Sequence, residues 1–96
     1  MTAIKWSPQA VRDVESIRDY IAQDSRRYAD LTVGRILASV EHLSAFPLSG
    51  RMVPERDDPK IREVIVGPFR VVYRYRVDVI EIATVFRASR LFPGLK

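Results

Sequence analysis

A chain of 96 residues, 47% hydrophobic and 29% charged, has the length of a single domain (1–96) and enough apolar mass for a core. It holds no cysteine and one histidine, His42, which excludes disulfides, thiolate metal sites and cysteine nucleophiles and leaves little for a His-based triad. The net charge of +4 is modest, and by itself does not establish nucleic-acid binding.

Thr2 to Trp6 alternates weakly and ends on an aromatic ring, which predicts a short first strand. Ser7-Pro8 follows, a capping hydroxyl and then a proline at the first helical position, where its missing N–H costs nothing. Ala10, Val14, Ile17 and Ile21 then recur at three- and four-residue spacing, one helical stripe that ends near Gln23. Arg12, Asp13, Glu15 and Asp19 lie off it. Asp24 and Ser25 are both good N-caps for a second helix, whose apolar positions are Ala29, Val33, Ile36, Leu37, Val40 and Leu43. Pro47 ends that helix near Phe46, because the residue before proline is pushed out of helical dihedrals. Two such helices joined by a few residues form an antiparallel hairpin around a shared core, in which Trp6 and Tyr20 are expected.

Residues 47–60 carry Pro47, Pro54, Pro59, Gly50 and the Asp57-Asp58 pair, the composition of an irregular connection. The apolar period then changes from 3.6 to 2. Ile61 to Val66, Phe69 to Arg76 and Val79 to Phe86 read as strands, separated by turns at Gly67-Pro68 and Val77-Asp78. The order β-α-α-β-β-β predicts an α+β fold, with a helical hairpin packed on one face of an antiparallel sheet.

All of the charge excess lies in the second half. Residues 1–48 hold six basic and six acidic side chains, residues 49–96 ten and six, and 13 of the 16 basic residues are arginine. The strand Phe69 to Arg76 should turn Phe69, Val71, Tyr73 and Tyr75 towards the helices. That leaves Arg70, Arg74 and Arg76 on an open face, a row that Arg62 could extend. A guanidinium row can bind phosphates or a partner's carboxylates. It fits equally a solvated face paired to Glu63 or Glu81. Arg87 and Arg90 follow where the chain leaves the sheet, a position that suits function and solubility alike. Lys60 is a possible phosphate contact or a solvated charge, and His42 sits where a helix C-terminus favours it structurally. No Gly-rich phosphate loop, nucleophilic serine motif, zinc spacing or paired metal carboxylates occurs, so no metal or cofactor is expected. No apolar run reaches the roughly 20 residues of a membrane helix, and Met1 to Trp6 lacks a signal-peptide segment, so a cytoplasmic, membrane-free protein is expected.

The whole chain resembles the RelE/ParE superfamily of type II toxins. The resemblance runs through Trp6-Ser7-Pro8-Gln9-Ala10, Asp13, Ile17, Tyr20-Ile21, Leu43, Phe46-Pro47, Gly50-Arg51 and Val53-Pro54-Glu55. Ile61-Arg62-Glu63, Phe69-Arg70-Val71, Tyr73-Arg74, Val85, Arg87 and Arg90 complete it, leaning to the ParE-like branch. It implies the fold already read, and a plasmid-stabilisation type of toxin held in a hetero-oligomer with a cognate, ParD-like or related antitoxin. ParE-like members are taken to inhibit DNA gyrase by binding. RelE-like members resemble ribosome-dependent mRNA endoribonucleases, for which Lys60, Arg62, Arg87 and Arg90 would be the catalytic candidates here. The sequence departs from the nuclease pattern, with Arg87 in place of a histidine, Ala88 in place of a glycine, and no tyrosine after Arg90. A guanidinium is a poor general base at neutral pH. The reading therefore favours a non-enzymatic gyrase inhibitor over an endoribonuclease or a degenerate toxin that only binds its antitoxin. Arg62, Arg70, Arg74, Arg87, Arg90, Leu91 and Phe92 are the residues expected to meet target or antitoxin.

Overall fold

Ser7 lies in extended backbone and its Oγ accepts the Ala10 N–H at 3.0 Å, which caps helix α1 (Pro8–Ala22). The same serine ties the helix start to the sheet: its N–H donates to Ile82 O at 2.9 Å and its hydroxyl to Ala83 O at 2.8 Å. Ser25 repeats the cap for α2 (Arg26–Ala45), accepting the Tyr28 N–H at 3.1 Å. Such a cap is worth about 0.5–2 kcal/mol. The computed structural model describes residues 2–94, and adds strands β1 (Ala3–Trp6), β2 (Arg51–Met52), β3 (Ile61–Val66), β4 (Phe69–Arg76) and β5 (Val79–Arg87).

These strands form a five-stranded sheet in the order β1-β5-β4-β3-β2. β3, β4 and β5 make the expected antiparallel meander, but β1 pairs parallel to β5, so the sheet is mixed. The helical hairpin supplies the long crossover that a parallel neighbour requires. Strand β2 went unread because two residues carry no period. Tyr20 is 64% exposed rather than core, since it stands one position, about 100° of helical rotation, before Ile21 on the buried stripe. In α2 the buried row is Ala29, Thr32, Ile36, Val40 and Leu43, and Leu37 is exposed. Thr32 is tolerated inside because its hydroxyl donates to Tyr28 O at 2.8 Å.

The core is divided by the sheet. On the helix side Phe69, Val71, Tyr73, Ile80, Ile82 and Val85 pack with Ala10, Ile36, Val40 and Leu43, and Trp6 rests half-buried against them. A bulge makes this set possible. Val72 pairs with Thr84 and Tyr73 with Ile82, so Ala83 is the extra residue. Without it, residues 82 and 85 would face opposite ways; with it, both reach the helices. The other face, expected to be open, holds a second cluster of Val53, Ile61, Val72 and Phe86, with Phe92 laid on it. The 47–60 connection and the C-terminal tail supply that cover.

Candidate functional site

Arg62, Arg70 and Arg74 of β3 and β4 are engaged within the molecule. Glu63 is buried on the second face and accepts from Arg70 Nε and Arg51 Nε, both at 2.6 Å. The two terminal nitrogens of Arg70 donate to the two carboxylate oxygens of Glu55 at 2.9 and 2.8 Å. Its guanidinium also lies over the rings of Phe86 and Phe92, at 5.0 and 5.6 Å. A planar fork suits both roles, because it can answer two carboxylates and stack on aromatic faces at once. Arg70 holds the Glu55 carboxyl down from 4.5 to about 2, and its own pKa rises through its bonds to Glu55 and Glu63. Arg70 is thus a buried pin, not a member of an open row.

Arg62 is also displaced from that row. It stands opposite Tyr73, on the helix side of the sheet, and donates to Pro59 O at 2.9 Å and Gly50 O at 3.0 Å. Arg74 lies 3.6 Å from Glu81, and of this strand's arginines only Arg76 is exposed. Pairing with Glu63 and Glu81, one of the two readings of the pattern, is the one realised. The connection is fastened a second time by Tyr73, whose hydroxyl donates to Pro47 O at 2.8 Å and accepts the Gly50 N–H at 3.1 Å. A Cβ at Gly50 would stand 2.6 Å from that hydroxyl and 2.7 Å from Glu63 O, so the close approach requires glycine. Burial raises the Tyr73 pKa and keeps the phenol protonated for this role.

Three further arginines stand elsewhere, around one groove. A groove of about 1120 Å³ runs between α1 and the outer edge of β5, lined among others by Arg12, Ile17, Tyr20, Arg87, Arg90 and Leu91. Arg87 pairs in register with Phe69, which puts it on the helix side, over the Phe69 ring at 5.2 Å. Among the described residues Arg12, Arg87 and Arg90 have no acidic partner within salt-bridge distance. Leu91 is 93% exposed at the groove's rim, whereas Phe92 turns inward and meets Phe86 edge to face. Lys60 is exposed and does not line the groove. The four nuclease candidates are therefore split along the sheet, with Arg87 and Arg90 on β5 and beyond it, and Arg62 and Lys60 at β3, with β4 between them.

Asp13 organises this edge. It accepts from Thr84 Oγ1 at 2.6 Å and the Val85 N–H at 3.0 Å, and its other oxygen from Gln9 Nε2 at 2.8 Å. It lies off the helical stripe, yet it links α1 to β5 alongside the Ser7 bonds. Its spacing hides this, because the contact spans 72 residues.

The family model of the ParE toxin of type II toxin–antitoxin systems matches residues 4–92, from β1 through the groove-lining tail to Phe92. The chain belongs to the ParE toxin family. It is 36% identical over 92 residues to a Sinorhizobium fredii protein named "Putative toxin Y4kP", covering 94% of this chain and 92% of that one. It is 30% identical to Toxin RelE2 of Caulobacter vibrioides, over 95% of this chain and 100% of the relative. Among solved structures, a chain of the chromosomal ParDE toxin–antitoxin system from P. aeruginosa superposes with a TM-score of 0.75 at 26% identity. That match covers 91% of this chain and 96% of the other. The α+β architecture read from periodicity is therefore a ParE-family architecture, with a mixed rather than antiparallel sheet.

Proposed function

We propose that this ParE-family toxin acts by binding, with DNA gyrase as its target, and that a cognate antitoxin neutralises it in the cytoplasm. One observation carries the preference for binding over RNA cleavage. The four nuclease candidates are split to opposite sides of β4, and on the sheet face expected to be open the 47–60 connection and Phe92 provide cover while Glu55, Glu63 and Glu81 hold Arg70 and Arg74. The groove that remains carries guanidiniums, which can hold an anion but do not take up a proton at neutral pH. Of the two carboxylates that line it, Asp13 already accepts from three donors and Glu81 lies 3.6 Å from Arg74.

The test runs two assays in parallel, gyrase supercoiling and translation on ribosomes with mRNA mapping. The expected result is inhibited supercoiling with intact mRNA. Codon-specific mRNA cuts with normal supercoiling would overturn the reading. That arm is needed because a relative at 30% identity bears a RelE name. Activity in neither assay, with antitoxin binding intact, would identify a degenerate toxin.

A further inference from the structure

Helix α2 buries one row, Ala29, Thr32, Ile36, Val40 and Leu43, and turns its opposite side to solvent. That outward side carries Arg27, Leu31, Gly34, Ala38 and Glu41, spaced alternately four and three residues apart and all exposed. Such spacing keeps one seam along a helix, the seam by which two helices pack lengthwise. Leu31 and Leu37, 49% and 46% exposed, stand three residues before and after Gly34 and flank it on either side. Nothing within the chain requires a glycine at 34. A Cβ there would meet nothing within 4 Å, and the residue lies inside a helix, where glycine is less stable than alanine. Arg27 and Glu41 have no ion-pair partner among the described residues, whereas Asp30 is held by Arg18 of α1 at 3.1 Å.

The charges on this seam select what meets it. Arg27 and Glu41 lie seven residues to either side of Gly34, one of each sign. Consider a second copy of α2 laid antiparallel, with the two-fold axis at Gly34. Arg27 then faces the second copy's Glu41 at both ends, Leu31 meets its Ala38, and Gly34 meets Gly34. A parallel copy would set Arg27 on Arg27 and Glu41 on Glu41. Of the two arrangements, only the antiparallel one answers both charges, and the bare glycine lets the backbones approach at the crossing. We propose that the outward face of α2 is a self-association surface, on which two copies of this chain pair through antiparallel α2 helices crossing at Gly34. One helix against another is a small contact, so the pair is weak and concentration-dependent. The inference is independent of which target the toxin meets.

The full chain holds no cysteine, so Gly34→Cys introduces a single thiol. Under mild oxidation this variant is expected to form a disulfide-linked dimer at least about tenfold faster than Arg76→Cys, because only across the axis do two copies bring one position within the roughly 7 Å between Cα atoms that a disulfide spans. Sedimentation over a concentration series should show a reversible monomer–dimer equilibrium that weakens with salt. Arg27→Glu and Glu41→Arg should each weaken it by about tenfold. Mixing those two variants, or placing both changes in one chain, should restore it, since opposite charges again face each other. Gly34→Ala should raise the melting temperature by a few degrees yet weaken association. Thermal melts of every variant confirm that the fold is kept. A monomer at all concentrations overturns the inference, as do single reversals without effect or a mixture that fails to restore pairing. A monomer whose α2 face is protected from amide exchange only by the product of the neighbouring gene assigns the face to that partner and also overturns it.

Discussion

Removing the Glu63 carboxylate would leave Arg70 facing a buried apolar shell with half of its acidic partners gone. Breaking a buried pair from one side costs about 3–5 kcal/mol, because the remaining charge is left desolvated. Glu63→Ala is therefore expected to lower the urea midpoint by a large fraction of total stability, and Glu63→Gln by less, since its amide oxygen still accepts. Glu55 gives the same network a pH dependence. Its carboxyl titrates near 2 when folded against 4.5 ordinarily, so its contribution is complete above pH 4.5 and is lost as pH falls towards 2. The side chain is 42% exposed, and the effect is accordingly modest. Urea midpoints at pH 5.5 and pH 2.5 should fall further for the wild type than for Glu55→Gln. An equal fall in both would show that the Arg70 contact adds no stability.

At the scale of elements, the bulge on β5 decides more than any strand propensity. Ile80, Ile82 and Val85 all enter the helix-side core, although 82 and 85 differ by an odd number of residues. Deleting Ala83 would restore the ladder's regular alternation and push either Ile82 or Val85 to the other face. It would also remove the carbonyl that anchors the Ser7 hydroxyl and move the Val85 N–H away from Asp13. The expected outcome is a chain without a cooperative melt, checked by circular dichroism. Ala83→Gly keeps the extra residue and should stay folded, costing on the order of 1 kcal/mol through added backbone freedom. Retention of a cooperative melt by the deletion variant would mean that the register shift is dispensable.

Over the molecule as a unit, two sets of arginines differ in their surroundings. Arg51 and Arg70, by the connection and tail, are internal fasteners, whereas Arg12, Arg87 and Arg90 along the α1–β5 groove have no acidic partner among the described residues. Phe92→Ala should lower stability by about 1–2 kcal/mol, since it removes both the edge-to-face contact with Phe86 and a ring beneath Arg70. Arg90→Ala, three residues from the sheet, should change it by less than about 0.5 kcal/mol while weakening growth inhibition. Melting curves and a growth assay on the same two variants check both halves. A large loss of stability in Arg90→Ala would place that side chain among the fasteners. Among the described residues no helix is long and apolar enough to cross a membrane.

The two capped helices and the meander β3-β4-β5 are legible in the chain alone, because each is written locally, and the toxin family is legible as a resemblance that runs along the whole chain. A cap is one hydroxyl before a stripe, and a half-buried strand is an alternation over a few residues. The right partners for Arg70 and Arg74, Glu63 and Glu81, are also visible there, as one of two open readings. The choice between those readings belongs to the folded molecule. Whether a sheet face is open depends on whether a proline-rich connection and a tail fold over it, and that is held by contacts such as Arg70–Glu55 and Phe86–Phe92. The parallel placement of β1 and the role of Asp13 share the same cause. Each is fixed by pairing between segments far apart in the chain, where the free energy of burial, not local periodicity, selects the register.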